Sequence, residues 1–241
     1  MPSWSGLLCQ LPSHPVHFSD RSPAFLAMAA KVKICGLMRP EDGRIAAQAG
    51  ASYLGVVFAD GPRAVGPSLA DEIVAAAGAV PVVGVFTEHS VDAILQIRDL
   101  VGLSGAQLHG GYSQSEAARL RTAGMEVWRV VRIAAFSDLD ALPSAIPHSD
   151  AVLVEPRIAG KQGGPGVALD PETGREARKR LAGHPMVLAG GLTPESVAEA
   201  LSLIGPEIVD VSSGVERAPG VKDHQKILRF VEAVVAHSPV T

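Results

Sequence analysis

From residue 32 the chain reads VKICGLMRPEDGRIAAQAGASYLGVVF (32–58), and the fold is read from this stretch. A short β-branched run, VKIC (32–35), gives way to a segment of helical period near 40–49, and a second β-branched run, YLGVVF (53–58), follows. Arg39-Pro40-Glu41-Asp42 marks the helix start, because a proline in the first turn gives up an N–H that has no partner there. Strand, helix and strand in this order imply a parallel pair joined by a crossover helix. Outward along the chain the unit recurs, with strands predicted at PVVGVF (81–86), GAQLH (105–109), VWRVVRI (127–133), AVLVE (151–155), MVLAG (186–190) and IVDVSS (208–213). Helices are predicted near 40–49, 68–77, 90–101, 114–123, 136–145, 171–182, 194–203 and 222–235, with further start signals at Ser113-Gln114-Ser115-Glu116 and Thr193-Pro194-Glu195. Eight units in about 210 residues leave no room for a second domain, so a single (β/α)8 TIM barrel over residues 31–241 is expected. The runner-up, a doubly wound open sheet, would concentrate its ligand site at one switch point, whereas here polar, Gly-rich clusters follow strands throughout the chain.

Composition narrows the classes. The chain has 241 residues, 47% hydrophobic and 19% charged, which suits a packed globular protein rather than a disordered one. A formal net charge of −4 offers no basic stripe for a phosphate backbone, so nucleic acid is not expected as a partner. The long charge-free stretches, such as Ile73 to Thr87, are shorter than a membrane span, and this one is broken by Gly78, Pro81 and Gly84. Two cysteines, Cys9 and Cys35, are too few for a disulfide framework or a zinc site and fit a reducing cytoplasm. Residues 1–30 hold four prolines and five serines without helical or strand period and read as a flexible, disordered N-terminal extension. The barrel pattern starts directly after Met28, which makes that methionine an alternative translation start.

In a barrel, chemistry belongs at the C-terminal ends of the strands. After the seventh strand stands Ala189-Gly190-Gly191-Leu192-Thr193-Pro194, leading into a helix whose first turn is expected to carry Pro194; after the eighth stands Asp210-Val211-Ser212-Ser213-Gly214. Bare N–H groups at a helix N-terminus and small hydroxylated residues suit an anion, and the loops after strands seven and eight are the usual barrel phosphate site. Either cluster alone could be only a tight turn; together they point to a small phosphorylated substrate. Gly163-Gly164-Pro165-Gly166 follows strand six as a closing lid, a phosphate contact through Gly164, or a surface loop. Cys35 ends strand one, as a general base or nucleophile or as a small buried hydrophobe. Glu155 ends strand six after an apolar run and reads as an acid facing the site. Arg63 and Asp210 are candidates for a substrate carboxylate and for an amine or hydroxyl, and equally for surface charges. Arg132 is a weaker anion contact. His109 stands alone, with no second ligand at metal spacing, so no metal is expected.

These stretches resemble the phosphoribosylanthranilate isomerase family of tryptophan biosynthesis over residues 31 to 235. Lys33-Ile34-Cys35-Gly36, Gly61-Pro62-Arg63, Val83-Gly84-Val85-Phe86, Gln107-Leu108-His109-Gly110, Ala189-Gly190-Gly191-Leu192-Thr193-Pro194-Glu195, Val209-Asp210-Val211-Ser212-Ser213-Gly214-Val215-Glu216 and Pro219-Gly220-Val221-Lys222-Asp223 carry the resemblance in order. It implies a cofactor-free Amadori rearrangement of an aminoaldose phosphate to an aminoketose phosphate, with Cys35 as base and Glu155 as acid. It further implies Arg63 on the anthranilate carboxylate, Asp210 orienting the substrate, and Gly191, Ser213 and Gly214 on the phosphate. The sequence departs from the family at Glu155, where the family carries Asp, at Pro165 in the glycine loop, and at Gly61 where Ser is usual. Those departures keep open a diverged phosphosugar-binding barrel, or a related phosphosugar isomerase with weak or no activity on this substrate. Monomeric and homodimeric barrels share the same pattern.

Overall fold

The computed structural model describes residues 30–157 and 168–237. The expected extension over residues 1–30 therefore lies, except for Ala30, outside the described residues, as do Gly163, Gly164, Pro165 and Gly166.

Eight parallel strands close on themselves in sequence order: β1 (Lys31–Ile34), β2 (Tyr53–Val57), β3 (Val82–Phe86), β4 (Gly105–Leu108), β5 (Glu126–Ile133), β6 (Ala151–Pro156), β7 (Met186–Ala189) and β8 (Ile208–Val211). Closure is made by β1 against β8, with Lys31 beside Ile208 and Lys33 beside Asp210. Helices α1 (Pro40–Ala49), α2 (Pro67–Ala77), α3 (Val91–Val101), α4 (Gln114–Thr122), α5 (Leu142–Ala145), α6 (Pro171–Arg180), α7 (Val197–Ile204) and α8 (His224–His237) form the outer layer. The expected TIM barrel is the observed fold.

Two local expectations need correction. The helix predicted near 136–145 is a 3-10 segment, Phe136–Ala141, followed by a single turn of α5, whose second residue is Pro143. A proline N–H is missing and its ring clashes with the preceding turn, so the helix cannot run through it. The helix after β7 begins at Val197 rather than 194. Thr193 and Ser196 bond each other through side chain and backbone, closing a hydroxyl-capped turn around Pro194 before the helix starts. A hairpin absent from the sequence reading, β9 (Glu216–Ala218) and β10 (Val221–Lys222), precedes α8.

Strand parity decides which side chains reach the site, because successive residues on a strand point to opposite faces. Val32 and Ile34 of β1, Val152 and Val154 of β6, and Val209 and Val211 of β8 belong to the large core between barrel and helices. Their neighbours face inward, where Tyr53, Val83, Trp128, Leu153, Val187 and Ile208 fill the barrel interior. One step further along the inward rows come Cys35, His109, Arg132, Glu155 and Ser212, and these stand at the mouth.

Candidate active site

The mouth encloses a cavity of about 460 Å3 lined by Cys35, Arg63, Gln107, His109, Arg132, Glu155, Gly190, Gly191, Asp210, Ser212, Ser213 and Gly214. Apart from Gly164, which lies outside the described residues, every candidate site residue read from the sequence lines this one space. Its size suits a small ligand.

Cys35 continues the barrel ladder just past β1, its N–H donating to the Val211 carbonyl at 2.8 Å, and its thiol is a free, buried one. Burial pushes the thiol pKa up, while the ammonium of Lys33 pulls it back toward the thiolate. Glu155 stands among β4, β5 and β6: Arg132 Nε donates to its Oε1 at 2.9 Å, and His109 Nε2 lies 3.2 Å from the same oxygen. That histidine nitrogen is buried, and Glu155 is its neighbour although the pair lacks the geometry of an ordinary hydrogen bond. Burial pushes the Glu155 carboxyl up, but His109 and then Arg132 outweigh it, so Glu155 sits below the ordinary glutamate range. Arg132, read from sequence as an anion contact, is thus engaged with the acid.

Asp210, expected from the sequence to meet the substrate at the strand end, lies one residue inside β8 and accepts from Lys33 Nζ at 3.1 Å. Lys33, wholly buried in the barrel, donates also to Gln107 Oε1 at 2.9 Å. Arg63 lies against Glu216 of the β9–β10 hairpin, with Nε and Nη2 donating to the two carboxylate oxygens at 2.8 and 2.7 Å. The buried Lys222 donates to the same Glu216 at 2.9 Å and to the Ser212 carbonyl at 3.0 Å. Arg63 is therefore held in a fixed position at the cavity wall rather than swinging as a surface charge. Lys33, Glu216 and Lys222 escaped the sequence reading as functional residues. Parity was the available signal for Lys33, since it shares a strand face with Cys35 two residues on.

The two donor-rich turns meet. Gly190 and Gly191 both take left-handed backbone angles, φ 90° and 67°, which glycine adopts at little steric cost. Gly214 lies so close to this turn that a Cβ on it would stand 1.8 Å from the Leu192 carbonyl oxygen. Glycine is required there by the approach of the two loops, and that approach brings both turns to the lining of one cavity. Among the described residues no helix is long and apolar enough to cross a membrane.

A closed parallel barrel with a thiol, a carboxyl and two small-residue turns gathered at the C-terminal ends of its strands defines a barrel enzyme. The family model described as N-(5'phosphoribosyl)anthranilate (PRA) isomerase matches residues 32–233, and the chain belongs to that family. A relative named N-(5'-phosphoribosyl)anthranilate isomerase, from Rubrobacter xylanophilus, is 40% identical over 207 residues, covering 85% of this chain and 98% of its own. The solved phosphoribosyl anthranilate isomerase from Thermotoga maritima superposes with a TM-score of 0.77 at 31% identity, over 86% of this chain and 99% of its own. A solved isomerase in complex with reduced 1-(O-carboxyphenylamino)-1-deoxyribulose 5-phosphate superposes with a TM-score of 0.75 at 30% identity, over 86% and 99%.

Proposed function

We propose that this chain converts N-(5-phosphoribosyl)anthranilate to 1-(2-carboxyphenylamino)-1-deoxyribulose 5-phosphate in tryptophan biosynthesis, with Cys35 as general base and Glu155 as general acid. The observation that carries the reading is the convergence of Cys35, Glu155 and the twin turns of Gly190-Gly191 and Ser212-Ser213-Gly214 on one cavity. In this reading the turns hold the phosphate and Arg63 meets the anthranilate carboxylate. Protonated Glu155 gives its proton to the ribose ring oxygen as the nitrogen lone pair forms the C1′=N bond and the ring opens. The Cys35 thiolate then takes the C2′ proton, the C–H electrons form C1′=C2′, and the nitrogen regains its lone pair. Ketonisation of the resulting enolamine, with a proton added at C1′ and one lost from the C2′ hydroxyl, completes the isomerisation without net uptake of a proton. Gly164, between β6 and α6 in the sequence, is assigned a further contact on the phosphate side by the family resemblance, and the tryptophan-pathway role together with the free Cys35 thiol supports a cytoplasmic setting.

The pKa directions make the competent form a minority one. The chain's own groups favour a thiol at Cys35 and a carboxylate at Glu155, while the reaction needs the opposite pair of protonation states. A substrate bearing a phosphate and a carboxylate brings negative charge and excludes water, and both effects raise the Glu155 pKa toward the protonated acid. Turnover of phosphoribosylanthranilate, followed by anthranilate fluorescence, tests the assignment in the wild type beside Glu155→Asp and Glu155→Ala. Removal of a general acid costs about 10²–10⁴-fold in rate, so Glu155→Ala is expected to lose at least a hundredfold. Undiminished turnover in Glu155→Ala would remove Glu155 from the acid role. An inactive wild type awakened by Asp would mean a phosphosugar-binding barrel that has given up the reaction.

A further inference from the structure

We propose that Lys33 is a positioning residue for the reaction, its side chain packed beside Cys35 and its ammonium favouring the thiolate form that takes the proton. The proposal rests on the assignment of Cys35 as the base. Three geometric facts carry it. Lys33 lies in β1 and Cys35 continues its ladder one residue past the strand end, so the two, two residues apart, share the inward face. Both side chains lean into the gap left by Gly55 of β2: a Cβ built there would lie 2.7 Å from Cys35 Sγ and 3.1 Å from Lys33 Cε. The ammonium itself is anchored deeper in the barrel by Gln107 Oε1 at 2.9 Å and Asp210 Oδ1 at 3.1 Å, with the Trp128 ring centroid 5.5 Å away.

Such a lysine is a poor way to stabilise a barrel. Lys33 is fully buried, and a buried ion pair is commonly matched or bettered by well-packed apolar side chains of the same volume. The remaining inward neighbours, Tyr53, Val83, Leu153 and Val187, are apolar and fill the interior without charge. A cation whose side chain shares the Gly55 gap with the thiol has a use that packing lacks, since a nearby opposite charge favours the ionised form. The other groups facing Cys35 are Asp210 of β8, which opposes the thiolate, and Lys222 of β10, which supports it. Arg63, from the loop after β2, adds a second peripheral cation, and Glu155 stands across the mouth on β6. Asp210 thus has two opposed effects, anchoring the lysine and partly cancelling its charge.

The test is the pH dependence of iodoacetamide alkylation of Cys35, read by mass spectrometry of the Cys35 peptide, in the full-length wild type, Lys33→Met and Asp210→Asn. Loss of Lys33 is expected to raise the alkylation midpoint by about 1–3 pH units and to slow alkylation at pH 7 by about tenfold or more. Asp210→Asn leaves the ammonium in place and is expected to lower the midpoint. Structural damage alone does not move two variants in opposite directions. The kcat/KM of Lys33→Met on phosphoribosylanthranilate is expected to recover partly as the pH is raised, a profile that a merely disordered barrel does not give. A Lys33→Met midpoint that stays or falls, or an Asp210→Asn midpoint that stays or rises, overturns the proposal; should Lys33→Met fail to fold, the Asp210→Asn arm decides alone. Alkylation does not involve the substrate, so opposed shifts in a protein with no turnover would refute the assigned reaction and leave the Lys33–Cys35 pair standing.

Discussion

Replacing Gly214 by alanine tests whether the loops after β7 and β8 form one anion cradle. The added methyl would stand 1.8 Å from the Leu192 carbonyl oxygen and 2.9 Å from its carbon. Cβ atoms essentially never come within about 3 Å of such an atom, so one loop must retreat by more than about 1 Å. The backbone of Gly214 is not left-handed, so the effect is contact alone and carries no conformational strain. Overpacking of this kind costs about 1–3 kcal/mol, and each kcal/mol lowers Tm by roughly 2–4 °C in a chain of this size. The larger effect falls on binding. Loss of one charge-assisted hydrogen bond to phosphate is worth about 1.5–3 kcal/mol, which corresponds to about a tenfold to a hundredfold weakening. Inhibition of turnover by inorganic phosphate gives the dissociation constant, and thermal unfolding gives the stability. A Gly214→Ala variant with the lowered Tm and an unchanged phosphate inhibition constant would refute the cradle, because the loops would then have separated without cost to the anion.

Other outcomes follow from the same site. Arg63→Lys keeps the charge but gives up the two-pronged bond to Glu216, so KM is expected to rise about tenfold with kcat little changed; an equal fall in kcat would place Arg63 in the chemical step instead. In Arg132→Leu the Glu155 carboxyl loses one of the partners that hold its pKa down, and the acidic limb of the kcat/KM profile is expected to move to higher pH. Because the folded Glu155 pKa lies below the unfolded value of 4.5, its contribution to stability is present above about pH 4.5 and is lost as the pH falls through the folded value. The Tm gap between wild type and Arg132→Leu should therefore close on acidification, and a gap that stays constant would contradict the pairing. Phe230→Ala empties a fully buried position on the barrel-facing side of α8, with an expected cost of about 3–5 kcal/mol by denaturant unfolding and no change in KM.

The barrel was legible because its signals are local. Continuous β-branched runs alternating with helical period recur eight times, and each run buries its own strand whatever the neighbours do. The capping box at Ser113 and Glu116, visible as Ser-x-x-Glu, is formed as read. Where the reading slipped, a local rule competed with another. Helical period over 136–145 competed with Pro143, and the start signal at Pro194 competed with the hydroxyl turn of Thr193 and Ser196. The candidate residues Cys35, Glu155, Arg63 and Asp210 were found by position at strand ends, and the described ones line a common cavity.

By itself the sequence determined the eight units, their order and the residue types offered at each strand end, since periodicity and turn chemistry act over a few neighbours. Tertiary structure decided which charges meet. Glu216 reaches Arg63 across 153 residues, and Asp210 reaches Lys33 across 177. These pairs exist only when β8 closes on β1 and the β9–β10 hairpin folds back toward the loop after β2. Electrostatic partnership depends on distances of a few ångströms and on the exclusion of water. Closure of the barrel creates both conditions, and no spacing along the chain encodes them.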